Sequence, residues 1–343
     1  MKLAVVLFNL GGPDGPDAIR PFLTNLFSDP AIISLPGPLR WLLARVIAAR
    51  RAPVAREIYA KIGGASPILP ETQAQAAALD MVLAGRGYDA RSFIAMRYWK
   101  PFSAEAAEDM EAWAPDRIVL LPLYPQFSTT TTASSLADWR KTVRRAGLAA
   151  PGTRVCCYPW NKGFVAALAR LVSEALAARK PGLAYRVLFS AHGLPKRIVA
   201  RGDPYQWQVE RTVAAIVDTL DTARLDHRVC YQSRVGPLEW IGPQTDAEIR
   251  RAGAESKGAI VVPVAFVSEH SETLVELDVE YAHLAKDAGV PDYIRVPTVA
   301  TAPEFIEGLA DLVERALKGE APATCGQGRV CPAEWGRCGY EGA

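Results

Sequence analysis

One short segment concentrates acidic side chains around a histidine and contains neither lysine nor arginine. This acidic segment reads Ser268-Glu269-His270-Ser271-Glu272-Thr273-Leu274-Val275-Glu276-Leu277-Asp278-Val279-Glu280-Tyr281. Glu272, Glu276 and Glu280 recur every fourth residue, which places them on one face of an α-helix, where like charges repel. We expect a cation to approach that face, since carboxylates and imidazole suit Fe²⁺ and similar ions. The alternative is a solvated acidic helix stabilised by its own dipole.

A second candidate is His192, one of only four histidines in the chain. It ends the apolar run Tyr185-Arg186-Val187-Leu188-Phe189-Ser190-Ala191 and precedes Gly193. An imidazole with an ordinary pKa of about 6.5 can be neutral at physiological pH, as proton acceptance and metal ligation both require. The alternative is a structural histidine satisfied by its neighbours.

Short apolar runs alternate with longer helical patterns, which predicts an α/β fold built on parallel sheets. The predicted strands fall four in each half, at residues 2–9, 90–96, 117–122, 154–158, 185–191, 227–232, 259–265 and 292–296. We expect an N-terminal domain at 1–160, a C-terminal domain at 161–318 and a cysteine-rich tail at 319–343. Ligands of such sheets bind beyond the carboxyl ends of the strands, which is where His192 lies.

Residues 30–70 interrupt this pattern, and Ile32 to Arg51 is both apolar and basic. We call residues 30–70 the lid segment and interpret Ile32 to Arg51 as a helical hairpin or a lid. It could contact a membrane surface through residues 32–47, or its apolar side chains could pack on the domain.

Composition narrows the class of protein. The chain has 343 residues, half of them hydrophobic, which predicts two folded domains. A net charge of +2 gives no general attraction for nucleic acid. No leader and no membrane-spanning run are expected, so we predict a cytoplasmic protein that could lie peripherally on the inner membrane. Neither of the glycine pairs, Gly11-Gly12 and Gly63-Gly64, fits a nucleotide-binding fingerprint.

An ordered set of motifs spanning about residues 5–315 resembles the ferrochelatases. The matching segments are Phe8-Asn9-Leu10-Gly11-Gly12-Pro13, Arg50-Arg51-Ala52-Pro53, Tyr59, Ile62-Gly63-Gly64-Ala65-Ser66-Pro67-Ile68, Arg97-Tyr98, Tyr124-Pro125-Gln126, Ser190-Ala191-His192-Gly193-Leu194-Pro195, Arg201-Gly202-Asp203-Pro204-Tyr205, Gln232-Ser233-Arg234-Val235-Gly236-Pro237, Trp240-Ile241-Gly242-Pro243-Gln244-Thr245 and Ser268-Glu269-His270-Ser271-Glu272-Thr273-Leu274. The resemblance implies two similar Rossmann-type domains with a porphyrin cleft between them, and insertion of Fe²⁺, the metal substrate, into a porphyrin as a step of haem biosynthesis.

The resemblance also implies roles for individual residues. It makes His192 the proton acceptor, with contact to the metal, and Glu272 the carboxylate that receives iron or relays protons. We expect these two to face each other across the macrocycle, with His270, Glu276 and Glu280 as further metal-contacting groups. The residues implied to hold or wall the porphyrin are Leu10, Arg51, Tyr59, Ser66, Arg97, Tyr98, Tyr124 and Trp240.

These residues do not decide which porphyrin is the substrate. Leu10 departs from the methionine or tyrosine of other members, so protoporphyrin IX and coproporphyrin both remain, and the apolar lid segment favours protoporphyrin IX. The alternative functions are a porphyrin or haem carrier without catalysis, or a chelatase for another tetrapyrrole with cobalt or nickel.

The tail adds a cofactor hypothesis. Some ferrochelatases hold a [2Fe–2S] cluster through three C-terminal cysteines and one from the body of the protein. The tail supplies Cys325, Cys331 and Cys338, and the fourth thiolate must then be Cys156, Cys157 or Cys230, of which we favour Cys157. The alternatives are a zinc site or a tail without metal.

Overall fold

The computed structural model describes residues 1–147, 152–220, 225–319 and 322–340. Within it the chain forms two compact units. The first unit comprises Met1–Cys157, Leu309–Val330 and Gly339–Ala343, and the second comprises Tyr158–Gly308 and Cys331–Cys338.

The strands and helices alternate along most of the chain. The strands are β1 (Lys2–Asn9), β2 (Asp89–Met96), β3 (Arg117–Pro122), β4 (Gly152–Cys157), β5 (Tyr185–His192), β6 (His227–Gln232), β7 (Gly258–Pro263), β8 (Tyr293–Arg295) and β9 (Ala323–Thr324). The α-helices are α1 (Ile19–Phe27), α2 (Gly37–Ala60), α3 (Ile68–Gly85), α4 (Ser103–Trp113), α5 (Thr132–Ala146), α6 (Lys162–Ala177), α7 (Lys196–Val199), α8 (Tyr205–Leu220), α9 (Thr245–Ala254), α10 (Ala282–Asp287) and α11 (Pro303–Leu317). A 3₁₀ turn covers Pro16–Ala18, and a π-helix covers Glu272–Tyr281.

Each unit is built on its own parallel sheet. The sheet of the first unit has the order β2-β1-β3-β4-β9, and that of the second has the order β6-β5-β7-β8. Strands β1 and β5 lie inside their sheets and are buried along nearly their whole length. Burial on both faces explains why their sequences are continuous apolar runs. The predicted α/β class with two parallel sheets is confirmed.

The predicted tail contributes two residues to the first sheet. Ala323 and Thr324 form β9, which pairs with β4 and extends the first sheet. The predicted tail of 319–343 is also divided between the two units rather than standing apart.

The last helix is divided between the two units, whereas the C-terminal domain was expected to include all of it and to end at residue 318. From Leu309 onward α11 belongs to the first unit. One physical reason is an ion-pair set on that half of the helix, where the Arg86 guanidinium lies 2.8 Å from Asp311 and 3.4 Å from Glu314.

The lid segment contains one continuous helix, α2, and not the helical hairpin considered above. Its buried residues are Ala44, Ala48, Ala52 and Tyr59, and Ala48, Ala52 and Tyr59 share a cluster with residues of α1. Trp41 and Leu42, which belong to the same helix, are 54% and 57% exposed. More than half of each of these two side chains is therefore accessible for a surface contact.

None of the helices in the described ranges combines the length and the apolar character that crossing a bilayer requires.

Candidate active site

The site in the second unit begins at the end of its central strand. His192 is the last residue of β5, and it stands opposite Gln232, the last residue of β6. Gly193 follows, and its N–H donates to the Gln232 carbonyl at 2.9 Å. A Cβ on Gly193 would lie 3.1 Å from both that oxygen and the Trp240 ring, so the turn after His192 favours glycine. The backbone thereby holds His192 in place where the strand ends.

His192 and Glu272 are joined directly. The His192 Nδ1 lies 2.8 Å from Glu272 Oε2. Because a carboxylate oxygen only accepts, Nδ1 carries the hydrogen, and Nε2 of the neutral ring keeps its lone pair. This contact corrects the expectation that the two side chains face each other across a macrocycle, since hydrogen-bonded groups lie on one side of any ring they serve.

The charges of this pair shift both pKa values. Burial alone would lower the pKa of His192, but the negative charge and hydrogen bond of Glu272 outweigh it and raise that pKa. Burial alone would raise the pKa of Glu272, but attraction to His192 and His270 lowers it far below its usual range. The carboxylate is therefore ionised at neutral pH, and it favours a proton on His192.

The acidic segment forms a π-helix where the spacing of its glutamates predicted an α-helix. At its start, the His270 N–H donates to Thr273 Oγ1 at 3.0 Å, and the same hydroxyl donates to the His270 carbonyl at 3.0 Å. π-Helical segments are rare and are frequently found at functional sites. No sequence signal marks this register, because a spacing of four residues is also typical of an α-helix.

Glu276 is held by donors on three other residues. Gln232 Nε2 donates to its Oε2 at 3.0 Å, the Ser233 N–H to its Oε1 at 2.9 Å, and the Tyr281 hydroxyl to its Oε1 at 3.0 Å. The Ser233 hydroxyl donates to it as well. Ser233 adopts a positive φ of 62°, a conformation that costs a non-glycine residue about 1–3 kcal/mol. Burial and the charge of Glu272 nevertheless raise the pKa of Glu276.

His270 and Glu280 occupy different environments. His270 is buried, its Nδ1 donates to the Ser268 carbonyl at 3.1 Å, and its Nε2 lies 3.8 Å from Glu272. Glu280 is exposed near the end of the π-helix. In the described part of the chain, no three histidine, cysteine or acidic side chains gather as a metal-binding group. The imidazoles of His192 and His270 both lie beside one carboxylate, that of Glu272.

Trp240 borders the imidazole. Its ring lies 6.4 Å from that of His192, edge to face, and the segments around the two residues pair through a bridge between Pro195 and Trp240. An aromatic surface therefore stands next to the proposed base.

The predicted porphyrin residues of the first unit form a group of their own. The Tyr98 N–H donates to the Leu10 carbonyl at 3.0 Å, and Leu10, Tyr59 and Tyr98 pack in one apolar cluster. Ser66 sits so close to Gly12 that a Cβ there would come within 2.5 Å of it.

Arg51, Arg97 and Tyr124 differ in exposure. Arg51 is exposed on α2. Arg97 donates from Nε to Ser134 Oγ at 2.7 Å, and the partly buried Tyr124 has its hydroxyl 3.5 Å from Ser135 Oγ. Burial raises the pKa of the Tyr124 hydroxyl, so it remains a neutral phenol.

Asp29 is a buried residue of this group that the sequence analysis missed. It accepts from the Tyr98 hydroxyl at 2.7 Å and lies 3.0 Å from the Arg97 guanidinium. Tyr98, 1% exposed, is therefore held inside this group. The segment Phe27-Ser28-Asp29-Pro30 is typical of a helix end, so it offered no separate signal.

The cysteines lie in different surroundings. Cys157 packs with Phe127, Val330 and Tyr340, whereas Cys331 accepts from Gln208 Nε2 at 3.0 Å. Cys338 is buried and Cys325 is partly exposed. In the described part of the chain no three metal-binding side chains form a group, and the four thiolates expected to hold a [2Fe–2S] cluster stay a prediction.

Comparison with known proteins identifies the family. The ferrochelatase family model matches residues 2–317. The chain is 55% identical over 341 residues to a ferrochelatase of Caulobacter vibrioides, covering 98% of this chain and 97% of that one. It is 54% identical over 340 residues to a ferrochelatase of Phenylobacterium zucineum, covering 98% of each chain.

Among solved structures the likeness concerns the fold. The sirohydrochlorin chelatase SirB of Bacillus subtilis subspecies spizizenii, solved in complex with cobalt, matches with a TM-score of 0.53 at 12% identity. The match covers 93% of this chain and 96% of that chain. The family model and the relatives together show that this chain belongs to the ferrochelatase family of lyases.

Proposed function

We propose that this ferrochelatase-family enzyme inserts Fe²⁺ into protoporphyrin IX with His192 as proton acceptor and Glu272 as the carboxylate that receives iron or relays protons. The observation that supports these roles is the 2.8 Å contact between His192 Nδ1 and Glu272 Oε2. It orients the imidazole so that Nε2 is the basic atom, and it places a negative charge beside the imidazolium that forms when Nε2 gains a proton.

The reaction explains why both groups are needed. A free porphyrin carries two pyrrole protons, and both must leave as Fe²⁺ binds the four nitrogens. His192 accepts a proton at Nε2, and Glu272 balances the imidazolium that results. Glu276, held close by Gln232 and Ser233, provides a second carboxylate through which protons or the metal can pass.

Ring distortion is the other requirement, because a flat macrocycle does not present its nitrogens to a metal. Contacts remote from the reacting atoms can hold a strained substrate. We assign such contacts to Trp240 in the second unit, and to Leu10, Arg51, Tyr59, Ser66, Arg97, Tyr98 and Tyr124 in the first.

Protoporphyrin IX is preferred in this proposal because of α2. Its exposed apolar side chains, with the Arg45 guanidinium 4.1 Å from the Trp41 ring centre, form an apolar and cationic surface. Such a surface suits peripheral binding to an anionic membrane, in which a lipophilic porphyrin dissolves. Of the basic residues, Arg40 contributes least, since it donates to the Ser28 and Leu35 carbonyls. The proposed location is therefore the cytoplasmic side of the inner membrane.

Only the sequence of the cysteine-rich tail supports the hypothesis of a [2Fe–2S] cluster. Three thiols within residues 319–343 are the supporting feature, and the described residues contain no group of three metal-binding side chains. No step of the proposed reaction uses a cluster.

An anaerobic metallation assay tests the proposal. Purified enzyme is mixed with Fe²⁺ and excess protoporphyrin IX or coproporphyrin, and the absorbance bands are followed. We expect many turnovers with protoporphyrin IX. At most one equivalent converted would indicate a carrier, and faster turnover of coproporphyrin would overturn the substrate assignment. Offering Co²⁺ in place of Fe²⁺ tests the other chelatase reaction.

A further inference from the structure

One arginine of β8 forms hydrogen bonds to the π-helix that carries Glu272 and Glu276 and to the residues just before it. Arg295, the last residue of β8, donates from Nε to Asp278 Oδ1 at 2.6 Å and from Nη2 to Asp278 Oδ2 at 2.5 Å. Its Nη1 donates to Glu269 Oε1 at 2.6 Å. The arginine therefore binds one carboxylate within the π-helix and another just before it.

A neighbouring tyrosine adds a contact to the π-helix backbone. The Tyr293 hydroxyl donates to the Leu277 carbonyl at 2.8 Å. Tyr293 and Arg295 are two residues apart on β8, so their side chains leave the strand on the same face. Glu269 also accepts from the Thr298 N–H at 3.0 Å, which ties this assembly to the chain after β8.

These contacts account for two of the five carboxylates of the acidic segment. Glu269 and Asp278 share a guanidinium that is 14% exposed and that offsets one of their two negative charges, so they repel Glu272 and Glu276 less than the sequence suggests. A planar guanidinium matches two carboxylates in fixed directions, which an ammonium cannot do. The arrangement restrains both the position and the rotation of the π-helix.

We propose that Arg295, assisted by Tyr293, is a positioning residue that fixes the π-helix so that Glu272 meets His192 while Glu276 meets Ser233. This inference rests on the proposed role of Glu272. It predicts that loss of the Arg295 contacts lowers turnover far more than it weakens porphyrin binding, because a misplacement of about 1 Å can cost about 10²-fold in rate.

The second unit contains a matched control. Arg186 is also buried and also joins two carboxylates, with Nε and Nη2 3.0 Å from Asp226 and Nη2 2.8 Å from Glu255. Neither partner belongs to the π-helix, and Arg186 lies at the other end of β5 from His192. Losing it should cost stability without altering the geometry around Glu272.

The experiment compares Arg295→Met and Arg295→Lys with Arg186→Met and Arg186→Lys. Thermal midpoints, porphyrin Kd from fluorescence, kcat, and KM for Fe²⁺ are measured for each. We expect Arg295→Met to lower kcat by about 10²-fold at nearly unchanged porphyrin Kd. Arg295→Lys should recover part of that loss, and both Arg186 variants should keep wild-type kcat. Equal kcat values for Arg295→Met and Arg186→Met would overturn the inference.

If Arg295→Met does not fold, Tyr293→Phe tests the positioning role instead, since this substitution removes one hydroxyl and no charge. We expect its kcat to fall several-fold with no change in porphyrin Kd, and an unchanged kcat would overturn the inference. Glu272→Gln separates the two levels of the argument. If that variant is fully active, the proposed function fails; if it is inactive while Arg295→Met is active, only the positioning role fails.

Discussion

Replacing Glu272 by glutamine tests the centre of the proposal with the least change in shape. The amide oxygen can still accept from His192 Nδ1, so the substitution removes the charge and largely preserves the contact. Any effect on the reaction then reports on the negative charge and on the capacity of the carboxylate to receive a proton or a metal ion.

The size of the effect follows from distance and exposure. Two unit charges 4 Å apart interact by about 4 kcal/mol at an effective dielectric constant of about 20, whereas exposed pairs contribute at most about 1 kcal/mol. The His192 and Glu272 side chains are 37% and 27% exposed, so their attraction lies between these limits, at about 2 kcal/mol. Loss of a group that transfers protons typically costs about 10²–10⁴-fold, and we expect kcat/KM to fall by at least about 10²-fold.

The pH dependence has a definite sign. Glu272 raises the pKa of His192, so in the wild type the base becomes neutral, and activity rises, only as pH passes above its ordinary value. Without the carboxylate charge, burial dominates and favours the neutral ring. The acid limb of kcat/KM should therefore move to lower pH in Glu272→Gln, even though its plateau is lower.

The assay is anaerobic metallation across the pH range, with porphyrin Kd measured in parallel. Glu280→Gln is the control, because it makes the same substitution at an exposed position of the same helix. We expect it to keep the wild-type acid limb and most of the turnover. Near-normal turnover of Glu272→Gln, or an acid limb that stays in place or moves upward, would refute the reasoning.

Further predictions concern the other residues of the proposal. His192→Ala should remove most metallation while the fold and the porphyrin Kd persist; near-normal turnover would exclude it as the base. Glu276→Gln should chiefly raise the Fe²⁺ concentration needed for half-maximal rate, and loss of porphyrin binding would contradict its role. Trp41→Ser combined with Leu42→Ser should reduce flotation with anionic liposomes, and equal flotation of variant and wild type would exclude α2 as the contact. If the tail holds a [2Fe–2S] cluster, anaerobically purified protein should contain about two irons and two acid-labile sulfides per chain, and colourless protein would exclude it.

The sequence predicted the fold and the edge of the sheet where the chemistry lies, because both follow from local patterns. Continuous apolar runs such as that of β5 require burial on both faces, and the exits of parallel strands are where loops can carry ligands. His192 was found in this way. The eight predicted strands match the structure to within a few residues, and β9 was missed since two residues carry no pattern.

What the sequence could not predict depends on contacts between distant residues. Asp29 and Tyr98 are 69 positions apart, and Arg295 and Asp278 are 17 apart, so neither pair has a signature in any window of sequence. The lid segment shows a related limit. Its large apolar residues were expected to contact a membrane or to pack on the domain, and their spacing alone did not show that alanines of α2 are buried while Trp41 and Leu42 are more than half exposed.

The acidic segment gains a different meaning once its partners are known. Arg295 offsets one of the two negative charges of Glu269 and Asp278, and the carboxylates that act on the imidazole of His192 are Glu272 and Glu276. With His192 neutral these carboxylates attract a dication, and with His192 protonated the attraction is weaker because the imidazolium lies 2.8 Å from Glu272. In the proposed reaction, iron would therefore be held best before a pyrrole proton reaches His192, and a proton that arrives there would favour release of the metal from Glu272 toward the porphyrin nitrogens. One hydrogen-bonded pair thus links the two halves of the proposed metallation reaction.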